Sequence, residues 1–120
     1  SDMKLNSVIF HTNSLPAIRD FYENALGLKI GNFDQNGVEK PDCSETYVNY
    51  TFGDSEMLLC FESTSREPDR GTIVLTVDLD DVAERLKRLN VPVQNRMSTD
   101  AGFQFLKVKD PEGRSIILER

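Results

Sequence analysis

The sequence predicts an α+β domain made of two copies of one unit, and three observations support this prediction. The stretch Ser7–Ile30 has the pattern of a strand, a capped helix and a second strand. A weaker copy follows in the second half, where an offset of 64 residues lays Leu15 on Leu79. Near the end, the tetrapeptide DPEG lies between two alternating runs, as in a hairpin. Because the order of elements also matches, we interpret the similarity as an internal duplication.

The first unit begins with a strand over Leu5–Thr12. Period-two alternation places Ser7, Ile9 and His11 on one of its faces. Ser14 then suits the N-cap of a helix, because its hydroxyl can accept a hydrogen bond from a free amide of the first turn.

Further strands complete this unit. Gly27 fits the left-handed position that ends a helix, and Leu28–Phe33 is predicted as the next strand. The polar stretch Asp34–Ser44 is predicted as a loop that is either a lid or simply solvated. Tyr47–Phe52 and Met57–Glu62 are predicted as two strands joined by a tight turn. Alternation also places Tyr47 and Tyr50 on opposite faces of their strand, so only one of them can face a ligand, and the sequence does not show which.

The second unit repeats this plan. Thr72–Val77 is predicted as a strand, and Asp78 or Asp80 as the cap of a helix that Asn90 ends. Val91–Gln94 is predicted as a short strand, at an edge or irregular because of its proline. The apolar residues at helical spacing are Leu79, Val82, Leu86 and Leu89.

The final hairpin is the clearest local signal. With Gly113 in the left-handed region, the turn becomes a three-residue loop with a bulge, and Lys107 lies opposite Ile117. One face is then uniformly aliphatic and is expected to carry the helix: Leu106, Val108, Ile116 and Leu118. The other face is mixed: Phe103, Phe105, Lys107, Ser115, Ile117 and Glu119.

Composition narrows the classes of function. The net charge of −6, without a basic stripe, disfavours nucleic acid. No window approaches the ~18 apolar residues of a membrane span, and no signal-peptide pattern opens the chain. Cys43 and Cys60 are too few for a disulfide framework, which favours a cytoplasmic protein with reduced thiols. Residues 1–3 have the pattern of a cloning remnant plus the start methionine and are set aside.

The segments SLPAIRDFYENALGLKI and KDPEGRSIILER, with the FYxxxLGL pattern at Phe21–Leu28, resemble the vicinal oxygen chelate superfamily. This superfamily includes glyoxalases, bleomycin-resistance proteins and extradiol dioxygenases. The resemblance implies one domain over 4–120, with two tandem βαβββ modules at about 4–63 and 71–120. These would form a curled mixed sheet, a cup, with helices outside and a small-molecule ligand inside. It also implies a homodimer.

Metal-dependent members of the superfamily take ligands from four strands, and the resemblance carries these positions to Ser7, Cys60, Thr72 and Ile117. Hydroxyl, thiol and alkyl groups in place of histidine and glutamate predict no metal and no cofactor. No catalytic residue is predicted, and an enzyme is disfavoured but left open. The expected function is metal-independent binding of an apolar or aromatic small molecule. The alternative is a divergent lyase, isomerase or dioxygenase with a displaced metal. A shift of one residue in the predicted strand positions would bring Glu62 or Glu119 into such a site, for example together with His11 and Cys60.

The remaining candidates each have a structural alternative. His11 would contact the ligand or be hydrogen-bonded at a strand end. Phe103 and Phe105 would form an aromatic wall or fill a vestigial cavity in an interaction domain. Glu62 and Lys107 would anchor polar groups or lie at a solvated rim. The complete predicted ligand-binding set is Ser7, Ile9, His11, Cys60, Glu62, Thr72, Phe103, Phe105, Lys107 and Ile117.

Overall fold

The computed structural model describes residues 3–31, 35–38, 40–98 and 104–120. The strands are β1 (Ser7–His11), β2 (Tyr47–Phe52), β3 (Ser55–Cys60), β4 (Thr72–Thr76), β5 (Asn95–Ser98), β6 (Gln104–Lys109) and β7 (Ser115–Glu119). The helices are α1 (Leu15–Arg19), which a π-helical segment (Asp20–Ala25) continues, and α2 (Leu79–Arg88). This order confirms the α+β class. In the described part of the chain, no helix has the length and apolarity that crossing a membrane requires.

The chain divides into two units. The first comprises Ser1–Arg19 and Leu28–Asp69, and the second comprises Asp20–Gly27 and Arg70–Arg120. The π-helical segment therefore groups with the second half of the chain. The expected modules at about 4–63 and 71–120 differ from these units in that segment, and this division stays a prediction.

The first unit holds a three-stranded sheet in the order β1-β3-β2. β1 is parallel to β3, and β2 is antiparallel to it. One face of this sheet is well buried at Val48, Tyr50, Met57 and Leu59. Helix α1 contacts β2 and contributes the buried side chains of Leu15 and Ile18. Burying this apolar face is the main gain that holds the unit together.

The second unit holds a four-stranded sheet in the order β4-β7-β6-β5. Its hairpin is as predicted: Gly113 has a φ of 88°, and Lys107 pairs with Ile117. The aliphatic face, Leu106, Val108, Ile116 and Leu118, is buried. The turn residues thus fix the register that separates the aliphatic face from the mixed one.

The ends of the helices follow their predicted signals. The Asp78 carboxylate caps α2 by accepting a hydrogen bond from the Asp81 amide at 3.3 Å, and Asn90 has a φ of 56°. Gly27 has a φ of 78°, and a Cβ there would collide with the Arg85 guanidinium. Leu89 was expected in the core with the other apolar residues of α2 but is 47% exposed, because it follows the last helical residue and leaves the buried stripe.

Two predicted strands are wrong. At Leu28–Phe33, the described residues 28–31 form only an isolated bridge, between Ile30 and Tyr50. Val91–Gln94 is irregular, and the ladder begins later, where the Gln94 amide donates to the Lys107 carbonyl at 2.8 Å. Pro92 has no amide hydrogen to add to a ladder, which explains the later start. The predicted strand Met57–Glu62 is also shifted, since β3 ends at Cys60.

A buried ionic cluster joins the turn of the β6–β7 hairpin to the π-helical segment. Arg114 and Asp110 are both fully buried, with 3.1 Å between Nη1 and Oδ2. The Tyr22 hydroxyl donates to Asp110 Oδ2 at 2.6 Å, and Glu112 lies 3.0 Å from Arg114 Nη1. Burial alone would lower the pKa of Arg114, but hydrogen bonds to Glu112 and Asp110 and the charge of Asp110 outweigh it, so that pKa is raised.

Candidate functional site

Strand register in the first unit brings several candidate residues to one face. Ser7 pairs with Glu56, Ile9 with Leu58 and His11 with Cys60, and β2 places its own residues beside them. We call this the mixed face of the first sheet: Ser7, Ile9, His11, Tyr47, Asn49, Thr51, Glu56, Leu58 and Cys60. Tyr47 is therefore the tyrosine on the candidate face, and Tyr50 lies fully buried on the other.

A groove of about 520 Å³ lies on this face, entirely within the first unit. The groove is lined by Ser7, Asp42, Thr46, Tyr47, Asn49, Glu56, Leu58, Cys60 and Phe61. Of the predicted ligand residues that the structure describes, only Ser7 and Cys60 line it. Alternation along β3 could have identified Glu56 and Leu58, which share the face of Cys60. Asp42 lies in a loop, where alternation gives no signal.

The polar floor of the groove is hydrogen-bonded to the loop that precedes β2. Asp42 accepts from Asn49 Nδ2 at 2.8 Å and from the Tyr47 hydroxyl at 3.3 Å. The Asn49 amide donates to the Asp42 carbonyl at 3.0 Å, which ties the loop to the strand. Burial, followed by the charge of Asp42 and its hydrogen bond, raises the pKa of Tyr47, so its hydroxyl stays neutral at ordinary pH.

His11 lies on the mixed face, and its hydrogen bonds join the end of β1 to the segment that follows β3. It is 3% exposed, and its amide donates to Asp69 Oδ2 at 2.8 Å. Its Nε2 lies 2.9 Å from Asn13 Oδ1 and 3.0 Å from the Ser63 carbonyl. Since both neighbours are acceptors, Nε2 carries the hydrogen. These contacts support the alternative that His11 is a hydrogen-bonded histidine at the end of a strand. A role of His11 in ligand binding stays a prediction.

The hydrogen bond between the His11 amide and Asp69 makes the stability of the first unit depend on pH. The hydrogen bond from the His11 amide is the largest cause that lowers the pKa of Asp69 below its ordinary 3.8. A carboxylate with a depressed pKa stabilises the fold above its unfolded pKa, and the gain is lost as pH falls through the folded pKa. We therefore expect Asp69→Asn to be less stable than the parent at neutral pH, with a difference that shrinks below pH 3.8. Urea unfolding across this range measures it, and a constant difference would contradict it.

Two further candidates of the first unit, Glu62 and Cys60, have contacts that indicate no special chemical role. Glu62 follows the end of β3, is exposed, and lies 3.2 Å from Arg66 Nη1. The Cys60 thiol is half-buried, and burial together with the Glu62 charge raises its pKa. A raised pKa favours the neutral thiol over the thiolate that nucleophiles and metal ligands require.

The second unit has its own mixed face: Thr72, Val74, Thr76, Phe105, Lys107, Ser115, Ile117 and Glu119. Thr72 pairs with Ser115, Val74 with Ile117, and Phe105 with Glu119. Thr72 and Val74 are exposed, and Phe105, Lys107 and Ile117 are half-buried. The four described candidates of this unit therefore share one face. Phe103 lies outside the described residues.

The two strand registers also show which residues of β3 and β7 correspond to each other. Ser7 pairs with Glu56 as Thr72 pairs with Ser115, so the counterpart of Ile117 in the first unit is Leu58, two residues before Cys60. Both counterparts are aliphatic. Among the described residues, no group of three or more histidine, cysteine, aspartate or glutamate side chains is placed to hold a metal ion.

Two strand-and-helix units in one chain, each with a mixed sheet, define the two-module class of α+β protein that the resemblance implied. The family model "Glyoxalase/Bleomycin resistance protein/Dioxygenase superfamily" matches residues 4–118. The chain belongs to this superfamily. No curated protein matches it in sequence.

Solved structures share the fold at low sequence identity. Lactoylglutathione lyase from Agrobacterium tumefaciens is 17% identical with a TM-score of 0.72, over 98% of this chain and 93% of that one. TnmS3, an antibiotic binding protein from Streptomyces sp. CB03234, is 17% identical with a TM-score of 0.73, over 99% and 96%. A glyoxalase / bleomycin resistance protein from Catenulispora acidiphila is 17% identical with a TM-score of 0.69, over 97% of both chains. At this identity they establish the fold alone.

Proposed function

We propose that this chain is a metal-independent small-molecule binding protein that captures an apolar or aromatic ligand. One observation carries the proposal. The equivalent positions of the two sheets present Ser7 and Leu58 in one unit and Thr72 and Ile117 in the other. The predicted position at Cys60 would add a single thiol to this set.

The chemistry of these side chains does not fit a divalent ion. Such ions take carboxylate, imidazole or thiolate ligands, and two hydroxyls with two alkyl groups supply none of them. Asp42, Glu56 and Cys60 line the groove, but among the residues that the structure describes no three such side chains are placed to hold a metal ion. We therefore assign no step of any mechanism to a metal.

Burial of apolar surface would supply most of the affinity. Leu58 and Phe61 line the groove, and Ile9 on the same sheet face is 61% exposed. On the mixed face of the second sheet, Val74 is 53% exposed beside the half-buried Ile117. Covering such surface gains about 25 cal/mol per Å² before the costs of association.

Calorimetric titration with naphthylmethanol, a neutral aromatic probe, tests the proposal. We expect a dissociation constant that is the same with and without EDTA. Loss of binding in EDTA that manganese or zinc restores would establish the metal-dependent alternative. No heat of binding at millimolar probe would overturn capture and favour an interaction domain with a vestigial cavity.

The homodimer and the cytoplasmic location stay predictions. Light scattering at micromolar concentration should give twice the 13.6 kDa of one chain. A mass of one chain would contradict the dimer.

A further inference from the structure

We propose that the groove of the first unit selects a ligand that carries a positive charge, such as a protonated amine or an amidinium, on an apolar or aromatic body. This inference rests on the proposed function, because it names the class of ligand that the same protein would capture. It goes further in assigning the recognition to Asp42, Asn49 and Glu56, which lie outside the set predicted for the ligand.

The charge of the lining is one-sided. Asp42 and Glu56 supply two carboxylates, and no lysine, arginine or histidine among the described residues lines the groove. Within the described residues, no ion pair involves Glu56, although its side chain is half-buried. A half-buried carboxylate without a cation favours a cationic ligand and disfavours an anionic one.

A buried amide gives an independent indication. Asn49 is 5% exposed and lines the groove, and its Nδ2 donates to Asp42 Oδ2 at 2.8 Å. The carboxylate requires a donor, which fixes the orientation of the amide. Within the described part of the chain, Asn49 Oδ1 accepts no hydrogen bond. Oδ1 of this largely buried side chain is therefore available to accept a hydrogen bond from a ligand N–H in the groove.

The other lining groups suit the same ligand. Tyr47 pairs with Cys60 on the groove face, and its hydroxyl contacts Asp42, so its ring can lie against a cation held by that carboxylate. Leu58 and Phe61 provide apolar contact for the body of the ligand. After burial, the charge of Asp42 is the next cause that raises the pKa of Tyr47, in keeping with negative potential at that end of the groove.

The test compares three probes of similar size by calorimetry: naphthylmethylammonium, naphthylmethanol and naphthoate. We expect the cation to bind about tenfold or more tighter than the neutral alcohol, because hydrogen bonds to charged groups are the stronger ones. Naphthoate should bind most weakly. Glu56→Gln and Asp42→Asn should each reduce the preference for the cation over the alcohol. Glu84→Gln, which removes the same charge from an exposed position on α2, should leave it unchanged.

The other possible results distinguish the preference for a cation from the capture of a ligand. Equal affinities for cation and alcohol would overturn the cation inference and leave capture standing, and tighter binding of naphthoate would do the same. A cation preference that falls equally in Glu84→Gln and Glu56→Gln would assign the effect to net charge and overturn the groove assignment. Failure of all three probes to bind would overturn both proposals.

Discussion

Replacing Asp110 by alanine is expected to lower the free energy of unfolding by about 3–5 kcal/mol. The change removes the fully buried partner of Arg114, which is itself 0% exposed. It also removes the acceptor of the Tyr22 hydroxyl and of the backbone amides of Glu112 and Arg114. A buried guanidinium that loses this carboxylate is poorly compensated. Urea unfolding monitored by circular dichroism measures the loss.

The matched control is Asp80→Ala, because Asp80 also pairs with an arginine at the same kind of distance. Its Oδ1 lies 3.0 Å from Arg120 Nη2, but the two side chains are 77% and 54% exposed. An exposed pair contributes less than about 1 kcal/mol. If Asp110→Ala does not fold, Tyr22→Phe isolates one hydrogen bond of the cluster and should cost about 1.5–3 kcal/mol. Equal effects of Asp110→Ala and Asp80→Ala would contradict this account of the cluster.

Replacing Leu58 by lysine is expected to weaken the binding of naphthylmethylammonium at least about a hundredfold. The new ammonium would lie in the groove beside the cation and compete for Glu56 and Asp42. The fold should persist, because Leu58 is half-buried and a lysine stem can follow the sheet to water. Calorimetry measures the affinity, and thermal unfolding checks the fold.

Leu89→Lys is the control, since it makes the same chemical change at a residue of the second unit that is 47% exposed. It should leave the affinity within about twofold, because Leu89 does not line the groove. If Leu58→Lys binds the probe as well as Leu89→Lys does, the groove is not where the ligand lies.

Local chemistry explains what the sequence predicted well. Turn residues at Gly113 and a capping carboxylate at Asp78 act within a few positions of themselves, so the hairpin register and the start of α2 could be predicted and are confirmed. Alternation along β1 likewise placed Ser7 and Ile9 together on one face. Each inference required only one element and its period.

What the sequence could not supply depends on pairing between distant segments. Aligning Leu58 with Ile117 requires knowing that β1 pairs with β3 in the register in which β4 pairs with β7. The groove also needs Asp42, a loop residue that reaches Asn49 only after the loop closes on β2. No periodicity encodes either fact. His11 was placed on the correct face, but its contacts with Ser63 and Asp69 are tertiary.

Elemental analysis of the protein after incubation with zinc, manganese and nickel, followed by desalting, tests the central claim most directly. The account predicts far less than one ion per chain, both as purified and after loading, because Ser7, Leu58, Thr72 and Ile117 offer no strong donor. About one divalent ion per chain, retained through desalting and lost on substituting Ser7, Glu56, Cys60 or Thr72, would contradict it.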